Sequence, residues 1–135
     1  MRVVFSVPFV AAQRRPRFRV AGAHVQAYKD RRDREAEARI REAFSAAAGD
    51  GFEPAPAGVP VAVAIDVFRA LPTSRREADP DTHRPDVDNY AKCFLDALNG
   101  VAWHDDAQVT RLTVTKHDRV RRRGDETRVS VEIGE

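Results

Sequence analysis

Alternation of apolar and polar side chains marks four extended segments. Val3, Phe5 and Val7 are interleaved with Val4 and Ser6 until Pro8 stops the run, a period of two that belongs to a half-buried strand. A longer run places Val59, Val61, Val63, Ile65 and Val67 on one face. Its other face carries Ala62, Ala64 and Phe68, so the pattern predicts a central strand covered on both sides. Thr110, Leu112 and Val114 alternate with Arg111, Thr113 and Thr115, and Val129, Val131 and Ile133 alternate with Arg128, Ser130 and Glu132. These last two strands are expected to pair as a hairpin whose connection runs from Lys116 to Thr127.

Two segments change to a spacing of three and four. From about Val25 to Ala48 the apolar residues Val25, Tyr28, Ala36, Ile40, Ala43, Phe44 and Ala47 predict an amphipathic helix that Gly49 ends. Tyr90, Phe94, Ala97 and Leu98 form the stripe of a second helix, with Asp88 as the expected N-cap and Asn99-Gly100 as the stop. Gln13 to Ala23 reads as an exposed connector with Phe18 as its anchor, and Ala70 to Pro85, with Pro72, Pro80 and Pro85, as a long polar loop. The order strand, helix, strand, helix, strand, strand defines an α/β fold, a mixed β-sheet with two main helices packed on it, in one domain over residues 1–135. The pattern leaves the strand order open.

Composition narrows the setting. With 42% apolar and 33% charged residues in 135, the chain has enough apolar content for a core and an unusually charged surface. No apolar run approaches the roughly 20 residues that span a bilayer, and the opening lacks a signal peptide's plan, so a cytoplasmic protein without membrane contact is expected. Cys93 is the only cysteine and sits among helix core positions, where a buried, inert thiol is expected.

The net charge of +2 conceals two basic clusters. Arg2, Arg14, Arg15, Arg17, Arg19 and Lys29 lie in the first 29 residues, which hold no acid, and Arg111, Lys116, Arg119, Arg121, Arg122 and Arg123 lie near the C-terminus. Such clusters suit a phosphate backbone, the bland alternative being solvated loops.

The candidate chemistry lies between Arg84 and Val109. Asp86 and Asp88 stand two apart in an extended stretch and project to one side where the second helix begins. Asp105 and Asp106 follow that helix closely enough along the chain for one of them to return to the pair. Crowded carboxylates repel unless a cation sits among them, and an all-oxygen set suits Mg²⁺, with Mn²⁺ as a substitute. Lys92 lies one helical turn beyond Asp88, placed to reach the carboxylates or a phosphate; the bland reading is a surface ion pair worth about 0.3–0.5 kcal/mol. His83, His104 and His117 lack zinc-ligand spacing, and Trp103 is expected to pack under the turn.

The run D-V-D-N-x-x-K, then FLDAL, then W-x-D-D-A-Q-V resembles the catalytic core of RusA-type crossover-junction endodeoxyribonucleases. The strong likeness covers about Arg84 to Thr115, with a looser one over nearly the whole chain. The resemblance implies a Mg²⁺-dependent homodimer that nicks four-way DNA junctions symmetrically, in recombination and repair. It implies metal ligands at Asp86, Asp88 and Asp106, a catalytic lysine at Lys92, and a lesser role for Asp105. The arginines at 14, 15, 17, 19, 119, 121, 122 and 123, with Lys116, become the expected DNA contacts. A junction-binding module whose acids no longer catalyse is the alternative from another class.

Overall fold

The computed structural model describes residues 1–13, 17–74 and 78–134. Arg14 and Arg15, two of the expected DNA contacts, lie outside the described residues. The described chain runs β1 (Arg2–Val7), β2 (Arg17–Ala21), β3 (His24–Tyr28), α1 (Arg31–Ala48), β4 (Val61–Phe68), α2 (Val87–Leu98), β5 (Val109–Lys116) and β6 (Glu126–Ile133). No helix among these residues is long and apolar enough to cross a membrane.

Four strands form one mixed sheet in the order β1-β6-β4-β5. The sheet and its two helices agree with the expected α/β architecture, but the hairpin of the last two strands does not form. Strand β6 lies antiparallel between β1 and β4, while β5 pairs parallel to β4 alone. The reason is apolar matching on both sides of β6: Val129 and Val131 face Phe5 and Val3 across one ladder and Ile65 and Val63 across the other, all of them buried.

The expectation that β4 is covered on both faces also needs correction. Val61, Val63, Ile65 and Val67 are fully buried under the helices, whereas Ala62, Ala64, Asp66 and Phe68 face outward and stay partly exposed. Their cross-strand neighbours Thr113, Thr115, Ser130 and Arg128 are polar, so no second layer is built there.

A further correction concerns residues 17–28, read as connector and helix start. They form the β2–β3 hairpin, and α1 begins only at Arg31, where the Asp30 carboxylate accepts a hydrogen bond from the Arg32 N–H at 2.8 Å. Gly49 ends α1 with φ 85°, as its position suggested. Ile40 and Phe44 of α1 and Tyr90, Phe94, Ala97 and Leu98 of α2 fill the core against the sheet, and Phe44 meets Phe5 and Phe52 edge to face at 5.8 and 5.2 Å.

Lys29, just before α1, sits between the helices, 2.6 Å from Glu37 and 3.5 Å from Asp96. Burial alone would lower its pKa, but these two carboxylates outweigh that and raise it. Cys93 is buried, and burial pushes its thiol up to about 12. It is expected to stay silent towards a disulfide reagent at pH 8 in the folded protein and to react fully in denaturant; reaction at the unfolded rate without denaturant would disprove the packing described.

Candidate functional site

Helix α2 is the crossover between the parallel strands β4 and β5, so its two ends lie at opposite ends of the sheet. The chain leaves β4 at Phe68 and returns to the start of α2 through residues 69–86. Several cations pin this long connection. One Arg69 nitrogen donates to the Asp81 carboxylate at 3.2 Å and to the Arg84 carbonyl at 3.0 Å, and the Lys116 ammonium donates to the Pro85 carbonyl at 2.9 Å and to the His83 carbonyl. The Arg119 guanidinium donates to the Ala70 carbonyl at 2.8 and 2.6 Å.

The connection delivers Asp86 as the N-cap of α2, with Asp88 in the first turn rather than at the cap. An N-cap aspartate ordinarily accepts from the helix's first free N–H groups. The Asp86 side chain makes no such bond; only its backbone carbonyl does, accepting from Asn89 at 3.1 Å and Tyr90 at 3.3 Å. Asp86, Asp88 and Lys92 are exposed, and Asp88 and Lys92 close no ion pair among the described residues. The helix N-terminus favours negative charge here, which offsets part of the repulsion between the two acids.

Asp105 and Asp106 stand at the other end of α2. Trp103 is fully buried there, and its indole N–H donates to Asp106 Oδ1 at 2.8 Å. Asp105 caps the 3₁₀ turn Asp106–Gln108 through a capping box with Gln108. Gln108, also buried, accepts from the His104 and Asp105 N–H groups at 2.9 and 3.0 Å and donates to the Pro56 and Val59 carbonyls at 2.8 and 3.1 Å. The turn before β5 is thereby tied to the loop before β4.

The expected meeting of Asp106 with Asp86 and Asp88 therefore does not occur within one chain. Twelve helical residues separate the two ends, about 18 Å of rise, and no three His, Cys, Asp or Glu side chains among the described residues are grouped to hold a metal ion. A short separation in sequence spans a long distance when a rigid helix occupies it. Asp86 and Asp88, two exposed oxygen donors with no hydrogen-bond or ion-pair partner for their side chains among the described residues, do fit the way Mg²⁺ binds, through one or two carboxylates with water and substrate phosphate completing the shell.

A group of cations stands where β4 ends, around Phe68 on the face of the sheet turned away from the helices. Arg123 lies over the Phe68 ring at 3.6 Å and Arg128 at 5.1 Å, while His117 stacks on the same ring, 4.4 Å between centroids, and meets the Asp66 carboxylate at 2.7 Å. Arg121 and Arg122 are exposed. Lys116 and Arg119, expected on a projecting loop, instead spend their donors on the 69–86 connection, because three carbonyls there need partners. Arg17 and Arg19 lie in β2.

Sequence reasoning missed the structural duties of Asp106 and Gln108, although Asp105 followed three residues later by Gln108 is a capping-box signal.

Two helices packed on one face of a mixed sheet, with a pair of exposed carboxylates at the start of the second, make this chain an α/β domain. Residues 8–134 match the family model described as endodeoxyribonuclease RusA, and the chain belongs to that family of endodeoxyribonucleases. A Bacillus subtilis (strain 168) relative, described as "Uncharacterized protein YqaN", is 38% identical in an alignment that covers 42% of this chain and 48% of the relative. The chain thus spans about half the length of that curated relative.

Proposed function

We propose that the protein resolves four-way DNA junctions by paired nicks, and that Asp86, Asp88 and Lys92 form its catalytic group. The observation that carries this reading is the pair of exposed carboxylates at the start of α2, one of them an N-cap residue whose side chain caps nothing. A bound Mg²⁺, or Mn²⁺, would lower the pKa of a water to give the attacking hydroxide and offset charge on the phosphate. Asp86 and Asp88 would hold that ion. Lys92, one turn along, presents its ammonium to the scissile phosphate, and the exposed Arg121 and Arg122 hold the backbone in place.

Two equivalent strands at a symmetric junction call for two equivalent sites, which a homodimer supplies. Asp106 can join an Asp86–Asp88 pair only from a second copy, since its own pair lies a helix length away. Its single bond to Trp103 leaves the second carboxylate oxygen for that purpose.

The test is an end-labelled four-way junction incubated with Mg²⁺. Symmetric nicks near the branch point support the proposal. Retention of the junction without nicks at any Mg²⁺ or Mn²⁺ concentration identifies a silent binding module instead.

A further inference from the structure

The β2–β3 hairpin is a ribbon of its own, hydrogen-bonded to no other strand among the described residues. A two-stranded ribbon without a third strand or a covering helix is marginal in water. This one also exposes apolar side chains: Phe18 is 67%, Val20 74% and Val25 67% accessible. The register pairs Val20 with Val25, and Phe18 lies two residues from Val20, so all three share one face near the tip. The opposite face carries Arg19, whose guanidinium lies 5.5 Å over the Tyr28 ring, and His24 beside the turn. Gly22 takes φ 64° at the first of the two turn positions, which lets the strands reverse with their natural twist.

The charge around the ribbon indicates what covers the apolar face. No acid occurs from Met1 to Lys29, while Arg14, Arg15, Arg17 and Arg19 lead into and along β2. A polyanion is the complementary partner. Five residues per strand give an arm about 17 Å long, and a two-stranded ribbon is a shape that the roughly 12 Å-wide major groove, or an opened branch point, admits. The arm is rooted at the candidate site, because the Gln13 N–H, just before it, donates to the Asn89 carbonyl at 3.0 Å, one residue from Asp88.

We infer that the hairpin is a DNA-penetrating arm: Phe18, Val20 and Val25 press against unstacked bases at the branch point, and Arg19 and His24 turn towards phosphates. Apolar wedges of this kind hold base steps open. The inference rests on the junction-binding reading and adds to it how the branch is recognised.

The test uses the full chain in EDTA, so that no cleavage intervenes, with a four-way junction carrying 2-aminopurine at its branch point. The wild-type protein should raise the fluorescence on binding, as the base unstacks. The double substitution Phe18→Ser with Val20→Ser should weaken junction binding roughly tenfold or more and abolish the rise, as expected for lost base contacts. It should leave the melting temperature and the weaker binding to plain duplex unchanged. Phe18→Trp should restore the affinity. Unchanged junction affinity in the Ser variant would overturn the arm, and so would a fall from dimer to monomer on sedimentation, which would assign the apolar face to a second copy. Failure of the wild type to bind the junction would instead remove the functional reading itself.

Discussion

Asp86→Asn is expected to slow junction nicking by at least about a hundredfold while junction binding stays level or tightens. The amide keeps the shape and removes one negative charge, so a divalent ion loses a ligand and the DNA loses a repulsive neighbour. The fold should not register the change. Asp86 is exposed and its side chain caps nothing, so stability should stay within about 0.5 kcal/mol, read from a thermal melt. Asp106→Asn gives a companion measurement, because the Asn carbonyl can still accept from the Trp103 indole. Mixing the two variant chains then separates two geometries. If each site draws Asp106 from the other copy, half of the possible sites in a mixed dimer regain all three acids, and single nicks return. If all three acids act within one chain, no site is whole and the mixture stays inert. Cleavage that survives Asp86→Asn at the wild-type rate would remove this residue from the catalytic group.

Local periodicity revealed much of the fold. The alternation in Val3 to Val7 and Val61 to Val67, the stripe Tyr90, Phe94, Ala97 and Leu98, and Gly49 all report short-range geometry, and the structure realises each of them. The β2–β3 hairpin had a legible signal too, Phe18 and Val20 before Gly22 and Val25 after it. Pro16, Gly22 and the arginines made it look like a connector, and Val25 and Tyr28 happened to extend the helical spacing of α1.

Long-range relations were the ones hidden. Adjacent strands in sequence seemed natural partners, yet the apolar match of β6 with both β1 and β4 places β4 between β6 and β5. For the acids, only the direction of α2 decides the matter. A helix that crosses from the end of β4 to the start of β5 carries Asp86 and Asp106 apart, however few residues lie between them. Asp86 and Asp88 were legible because they share one short stretch. The positions of Lys116 and Arg119 were not, since their partners are carbonyls of a loop more than thirty residues away in the chain.

Gln108→Leu tests the opposite end of α2, where the family motif's second half has a structural task. The Gln108 amide is buried and joins two segments, accepting from His104 and Asp105 and donating to Pro56 and Val59, with Ala55 at 3.3 Å. Leucine fills a similar volume, so packing is nearly kept and the loss is polar. Two N–H groups and up to three carbonyls lose their partners, and each buried group so stranded costs about 1–3 kcal/mol. Partial access of water to the turn lowers the sum, which leaves a loss on the order of 4 kcal/mol. For a chain of this size that amounts to roughly 10 °C or more in melting temperature, a large part of the usual total of about 5–15 kcal/mol. Nicking per folded molecule, measured well below the new melting point, should change only a few-fold, because the residue braces the start of β4 and β5, touches neither Asp86 nor Asp88, and leaves the buried Trp103 indole to hold Asp106. A melting temperature within about 2 °C of wild type would show that the clamp contributes little. A hundredfold loss of nicking with stability intact would move Gln108 from the frame into the chemistry.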